Sequence, residues 1–248
     1  MREKRIEVIL EKLKANGIIS TLELTEELNV TEMTIRRDLK YMEDRKMLVR
    51  IHGGAKSTGK IQKEKLYHDR KVKYMNEKEY IAKIAAKLIQ DDETIFISPG
   101  TTAEKIPEFI KAKNVIIVTN SYSIIAKYSS LDLEFIVTGG KLRKETEAIV
   151  PNYFIDSISK INVDKCFIGA NGVSGNKVTI SNYDEGLIQQ IVLENAKERF
   201  LLLDSSKFNR EAFYSFFKVE DLDGIITDGN LKLDIMKDYK KITKIINI

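Results

Sequence analysis

Residues 31–43 read TEMTIRRDLKYME, from Thr31 to Glu43. Ile35, Leu39 and Met42 recur at helical spacing and mark one apolar face. Thr31, just ahead of that pattern, is suited to cap the helix, because its hydroxyl can accept from a free N–H of the first turn. The opposite face carries Met33, Thr34, Arg37, Lys40 and Tyr41. A helix that is apolar on one side and offers cations and short hydrogen-bonding groups on the other suits the DNA major groove. Taken alone, the same pattern also describes a solvated surface helix.

The residues on either side favour the groove. Ile6, Ile9, Leu10 and Leu13 predict an amphipathic first helix stopped by Gly17. Ser20 or Thr21 can cap a short second helix with Leu22, Leu24 and Leu28 on its apolar side, and Asn29 and Val30 turn the chain into Thr31. Two short helices joined by a few residues, the second with a cationic outer face, is the helix-turn-helix layout. Met47–Ile51 then reads as a strand, and His52, Gly53 and Gly54 supply a sharp turn. Arg50, His52 and Lys56 on that hairpin would sit beside phosphates as a wing. The expected DNA contacts are therefore Thr31, Met33, Thr34, Arg36, Arg37 and Lys40 from the helix, with Arg50, His52 and Lys56 from the wing. Ile35 and Leu39 are expected to be structural.

The run NVTEMTIRRDLKYMEDRKMLVRIHGGA, residues 29–55, resembles the signature of the DeoR family of bacterial transcriptional regulators, most specifically in TIRRDL and HGGA. The resemblance continues through the rest of the chain.

The 248 residues suffice for one small and one medium domain. No apolar run is long enough to span a membrane and no signal peptide precedes MREKR, so cytoplasm is the natural reading. A single cysteine, Cys166, excludes an intrachain disulfide and any multi-cysteine zinc site. Neither metal nor cofactor is expected. Residues 1–75 hold 18 Lys and Arg against 12 Asp and Glu, while residues 76–248 hold 23 against 25. The positive excess lies in the front end, as a polyanion partner requires. Residues 57–75 are polar and lysine-rich and read as a linker, partly helical from Leu66 onward. The expected division is a winged helix-turn-helix DNA-binding domain at 1–56, the linker at 57–75 and a sensing domain at 76–248.

From Asn76 helices alternate with short β-branched strands: Thr94–Ile97, Val115–Thr119, Glu134–Thr138, Lys165–Ile168, Phe200–Leu203 and Gly224–Thr227. Helices are expected at Lys78–Gln90, Ala103–Lys111, Tyr122–Ser129, Asn152–Lys160 and Tyr183–Lys197, with a last helix and strand within 231–247. The pattern predicts an α/β, Rossmann-like domain with a largely parallel, doubly covered sheet. Such sheets bind ligands beyond the carboxyl ends of their strands. Those ends carry Ser98, Gly100, Thr101 and Thr102; Thr119 and Asn120; Gly139, Gly140 and Lys141; Asn171; and Lys207. Gly100 lets the backbone approach a ligand, and the hydroxyls ahead of a helix N-terminus form a plausible phosphate cradle. Arg143, Lys141 and Lys207 are candidate counter-charges for a phosphate. A well-capped helix and ordinary turns explain the same residues singly. No GKS or GxGxxG phosphate loop is present.

The segments IFISPGTT, VIIVTNS, VTGG, TISNYDEG and LLLDSSKF resemble the effector domain of DeoR-type regulators. The resemblance implies a fold like that of ribose-phosphate isomerase and glucosamine-phosphate deaminase, and sugar phosphates as ligands. Glu185 matches a glutamate common in the family and is a further effector-binding candidate. Ser98 stands where relatives commonly have an acidic residue, Pro99 where they have Ser or Ala, and Pro151 where they tend to have Gly. PGTT together with RKETEA is similar to the branch holding lactose phosphotransferase-system repressors, whose inducer is tagatose 6-phosphate. The implied partners are double-stranded operator DNA, a phosphorylated sugar and further copies of the chain, as a dimer or tetramer, with no membrane. The competing reading is a sugar-phosphate isomerase or deaminase fused to a DNA-binding domain. That chemistry needs a placed general base, yet both histidines, His52 and His68, precede the second domain. Asp184 and Glu185 are the remaining acid pair, at a helix start where capping and the helix dipole account for them. No catalytic residue is therefore assigned.

Overall fold

The computed structural model describes residues 2–16, 18–45, 47–51, 53–56, 67–150 and 158–247. Two compact units divide the chain, Met1–Lys63 and Glu64–Ile248.

In the first unit α1 (Arg2–Asn16), β1 (Ile18–Ser20), α2 (Thr21–Leu28) and α3 (Glu32–Asp44) are followed by the hairpin β2 (Val49–Ile51) and β3 (Gly54–Lys56). Ser20 caps α2 by accepting from Leu22 N–H, Asn29 ends it in the left-handed region at φ 48°, and Thr31 caps α3 by accepting from Thr34 N–H. The core is Ile6, Ile9, Leu13, Ile19, Leu24, Ile35, Leu39, Met42, Met47, Leu48 and Ala55. Leu22, expected on the apolar side of α2, is 66% exposed. Its place inside is taken by Thr21, the other buried residue of α2, whose carbonyl accepts from Thr25 Oγ1 one turn on. The sheet order β1-β3-β2 puts β3 in the middle, pairing Ser20 and Ile51 with Gly54 on either side.

In the second unit α4 (Tyr67–Lys71) and α5 (Met75–Lys87) precede β4 (Thr94–Ile97), β5 (Ile116–Thr119), α6 (Tyr122–Tyr128) and β6 (Glu134–Val137). Then come the hairpin β7 (Lys141–Arg143) and β8 (Ala148–Val150), β9 (Val163–Gly169), β10 (Gly172–Ser174), β11 (Lys177–Ile180) and α7 (Tyr183–Glu194). β12 (Ala196–Leu203), β13 (Tyr214–Lys218), β14 (Gly224–Thr227), α8 (Leu233–Lys240) and β15 (Ile245–Ile246) complete it. Seven parallel strands form the main sheet in the order β15-β14-β12-β9-β4-β5-β6. Both faces are covered, so alternate residues of one strand enter different cores. Ile95 and Ile97 pack with Ile81, Ala85 and Ile124, while Phe96 packs with Ile168, Ile188 and Val192.

The expected α/β class with a parallel, doubly covered sheet is what the structure has. Two differences have local causes. The helix expected over 103–111 is a 3₁₀ helix, Ala103–Phe109, with Pro107 inside it; proline lacks the N–H that an α-helix would use there. A second, antiparallel sheet, β10-β11-β13, went unread because its strands are short. The helix expected over Asn152–Lys160 falls largely outside the described residues. Residues 67–75, read as the tail of the linker, carry α4 and the buried Tyr67 in the second unit.

Candidate functional site

The outer face of α3 is built by its cap and its inner face. With Ile35, Asp38, Leu39 and Met42 buried, the helix must present Met33, Arg36, Arg37 and Lys40 to solvent, with Thr34 half-buried. Asp38 is the charged member of the inner face, 2% exposed, and was not anticipated. Its carboxylate accepts from Arg5 Nε at 2.7 Å and lies 3.1 Å from Arg2 Nε, which fixes α1 against α3. Tyr41, expected on the outer face, is half-buried between the guanidinium groups of Arg2 and Arg45, 3.7 and 3.6 Å from its centroid.

The cations of that face differ in what holds them. Arg36 is paired with Glu32 at 2.7 Å and Lys40 with Asp44 at 2.8 Å. Each is an exposed i,i+4 pair of the kind worth about 0.3–0.5 kcal/mol, easily exchanged for a phosphate. Arg37 makes no ion pair among the described residues. Thr31 and Thr34 share a hydroxyl hydrogen bond of 3.0 Å. On the wing, Arg50 N–H donates to Glu43 Oε1 at 3.1 Å, tying the strand to the end of α3. His52 and the side chain of Lys56 lie outside the described residues.

In the second unit the chain enters the sheet at β4, builds outward through β5 and β6, then returns to the other side of β4 as β9. The order therefore reverses between β4 and β9, the place where open α/β sheets bind ligands. A cavity of about 190 Å³ opens there, bordered by Pro99–Ala103 after β4 and Gly169–Asn171 after β9. Gly100, at φ 145°, makes the turn in a conformation that side chains disfavour. The rest of the wall is Ile180, Glu185, Gln189, Leu202, Asp204, Ser206, Lys207 and Arg210, closed by Arg70, Lys73, Tyr74 and Lys78.

Of the residues expected to meet an effector, the cavity gathers Gly100, Thr101, Thr102, Asn171, Glu185 and Lys207. The others stand behind or beside it. Ser98 Oγ accepts from Gly169 N–H at 3.1 Å and so joins the ends of β4 and β9. Thr119 Oγ1 donates to the Ile97 carbonyl at 2.7 Å, and Asn120 Nδ2 to the Ile149 carbonyl at 3.0 Å. Gly139, Gly140 and Lys141 are exposed. Arg143 Nε donates at 2.9 Å to Glu185 Oε1, which also accepts from Thr146 Oγ1.

Four wall residues, Arg70, Lys73, Tyr74 and Lys78, come from the stretch at the linker and its boundary. Of the four, Lys78 is buried and Arg70 half-buried, while Lys73 and Tyr74 stay exposed at the rim. Lys78 is 4% exposed and its Nζ donates to the Arg70 carbonyl. Burial pushes its amine down to about 8; Lys207 and Arg70 add to that, and Asp204 opposes it. Tyr67 OH donates to Glu104, and its own N–H donates to the Glu145 carbonyl at 2.8 Å. Burial first, then Glu104, raise the Tyr67 pKa. Among the described residues, Nε and Nη2 of Arg70 and Oε1 of Gln189 are buried without a hydrogen-bond partner. Such groups cost about 1–3 kcal/mol each unless satisfied. None of the three atoms is open to solvent, so they lie behind the cavity surface rather than on it.

Comparison with known proteins agrees with this division. Residues 5–60 match the family model of the DeoR-like helix-turn-helix domain, and residues 73–229 that of the DeoR C terminal sensor domain. A lactose phosphotransferase system repressor of Staphylococcus epidermidis is 36% identical over 230 residues, covering 91% of this chain and 92% of that one. Its counterpart in Streptococcus mutans is 36% identical over 250 residues, covering 99% of both. Among solved structures, ribose 5 phosphate isomerase A from Neisseria gonorrhoeae is 17% identical with a TM-score of 0.39, over 53% of this chain and 52% of that one. With its two units matched in turn and repressors aligned along almost its full length, the chain belongs to the DeoR family.

Proposed function

We propose that the chain is a transcriptional repressor of a sugar-utilisation operon, reading operator DNA through α3 and releasing it when a phosphorylated sugar enters the cavity. The cluster of cationic side chains on the cavity wall carries the reading. Arg70 shares that wall with Lys73, Lys78, Lys207 and Arg210, against the carboxylates of Glu185 and Asp204. Both carboxylates are engaged, Glu185 by Arg143 and Thr146, and Asp204 by the N–H and hydroxyl of Ser206. The surplus of positive charge suits a phosphate dianion. Thr101, Thr102, Asn171 and Gln189 suit the hydroxyls of a polyol.

The relatives are named lactose phosphotransferase system repressors, and tagatose 6-phosphate, the inducer that the resemblance of PGTT and RKETEA implies, is the first ligand to test. It also supports a regulator rather than an isomerase or deaminase. A titration of labelled DNA from upstream of the chain's own coding region, with and without a panel of sugar phosphates, is the direct test. One sugar phosphate should weaken the complex 5- to 150-fold, the span of a coupling of about 1–3 kcal/mol. Equal affinity with every sugar phosphate at saturation would refute the sensing half of the proposal.

On the DNA side, Arg37→Ala should weaken operator binding by about 1–3 kcal/mol at matched salt, with the unfolding midpoint unchanged. Arg36→Ala should cost less, since Arg36 must first leave Glu32. Equal losses from both variants would place the two arginines in the same role.

The pH dependence follows from Lys78. Its folded-state pKa lies near 8, below the ordinary 10.5. Between those values the unfolded chain holds more protons, so the contribution of Lys78 to stability rises with pH across that window. A bound phosphate favours the charged amine and is bound with proton uptake. Effector affinity should therefore fall above pH 8, by up to about tenfold per pH unit for one linked proton. Calorimetric titration of the wild type from pH 7 to 9.5 beside Lys78→Met checks this, and the variant's affinity should be flat over the same range.

A further inference from the structure

Among the described residues, two large apolar side chains of the first unit are more than half exposed, Leu22 at 66% and Met33 at 70%. Single exposed apolar side chains are ordinary on a protein surface, so exposure alone assigns neither a role. Their places differ. Met33 is the second residue of α3, and in the helix-turn-helix layout it is the N-terminal residues of this helix that meet base edges. Leu22 is the second residue of α2, the helix that in the same layout crosses the backbone.

The neighbours of Met33 narrow what the first turns of α3 can offer a base. Glu32 is held by Arg36 at 2.7 Å, and the hydroxyls of Thr31 and Thr34 bond each other at 3.0 Å. Ile35 and Asp38 are buried. From Thr31 to Asp38 that leaves Met33 and Arg37 as the exposed side chains outside these pairs. Residues four apart share one face of a helix, so the two form a stripe, apolar toward the N-terminus and cationic one turn on.

The chemistry of the groove then selects a target for each. A guanidinium suits phosphates and the acceptors of guanine. Met33 carries no charge and only a weak acceptor, so neither phosphates nor polar base edges favour it. Base pairs present donors and acceptors in the major groove, and thymine alone adds an apolar group, its 5-methyl. A thioether laid against that methyl removes apolar surface of both from water, and an unbranched, polarisable side chain adapts to it readily. Any other base at that place would set Met33 over polar edges, displacing their water without supplying a hydrogen bond.

We propose that Met33 is a specificity-determining residue that reads the 5-methyl group of a thymine in the major groove of the operator. The proposal rests on the operator reading of α3 and goes beyond it by naming the atom that selects the base.

The test uses the full-length chain. Duplexes enriched by the wild type from a random pool supply its site, and each thymine of that site is replaced in turn by uracil. The exchange deletes the methyl and leaves pairing, the O4 acceptor and the phosphates as they were. At one thymine the wild type should lose affinity by about fourfold, the factor for returning one methyl-sized group to water. Met33→Ala should bind the unaltered site more weakly, with an unchanged unfolding midpoint, and should be indifferent to uracil at that position. Leu22→Ala should respond to uracil as the wild type does. A wild type indifferent to uracil at every position, or a Met33→Ala chain with the wild-type response, would overturn the proposal and leave the operator reading standing. A wild type that enriches no sequence would remove both.

Discussion

Gly54→Ala is expected to abolish operator binding while leaving the ligand response of the sensor unit intact. Gly54 lies on the central strand of the small sheet, with Ser20 on one side and Ile51 on the other. A Cβ added there would overlap the Ile19 carbonyl oxygen and press on Ser20 Cα. These are backbone atoms, with no flexible side chain to give way. Relief requires β1 and β3 to part, which opens the strand pairing beside Ile19 and Ala55, both in the core. Overpacking of this kind typically costs about 1–3 kcal/mol, and more where backbone must move. A unit of this size has a total stability of only a few kcal/mol. The expected result is at least a 100-fold loss of operator affinity and a lower first transition on heating. Thermal stabilisation of the sensor unit by sugar phosphate should match the wild type. Gly53→Ala, where φ is 77° but nothing lies near the added Cβ, should be milder. Equal effects at the two glycines would mean that turn strain, rather than crowding of β1, explains the loss.

The second large effect concerns Arg70. Truncation to alanine removes buried nitrogens that have no hydrogen-bond partner among the described residues, so the ligand-free protein should hold its stability or gain some. The same change should remove charge-assisted hydrogen bonds worth about 1.5–3 kcal/mol each to a bound phosphate. Sugar-phosphate affinity should therefore fall about 10- to 150-fold while operator binding without ligand is retained. At about 100 times its dissociation constant, ligand stabilises the wild type by roughly 2.7 kcal/mol. Arg70→Ala at the same concentration should show about half that or less. A variant destabilised without ligand, yet stabilised normally by it, would make Arg70 a packing residue and not a ligand contact.

These two residues mark where the chain could and could not be read in advance. The helix-turn-helix was legible because its signals are local: Ser20, Asn29 and Thr31 act within a few residues of themselves, and Ile35, Leu39 and Met42 show the helical period directly. The main strands were legible for the same reason, each being an apolar run bounded by turn residues. The reversal of strand order between β4 and β9 is a property of connections, so the strand ends looked equally promising. Thr119, Asn120 and Gly139 belong to ends away from that reversal, and the cavity does not include them. Lys78 carries no local sign of burial, since it sits in an amphipathic helix among other charged residues and is enclosed by segments distant in sequence. Asp38 was hidden likewise, its partners Arg2 and Arg5 lying more than thirty residues earlier.

Tyr67 and Arg70 have a last consequence. They open the sensor unit at the point where the polypeptide arrives from the DNA-reading unit, and one belongs to the cavity wall while the other is anchored beside it through Glu104 and Glu145. A guest seated against Arg70 would thus touch the first helix that the chain forms in this unit.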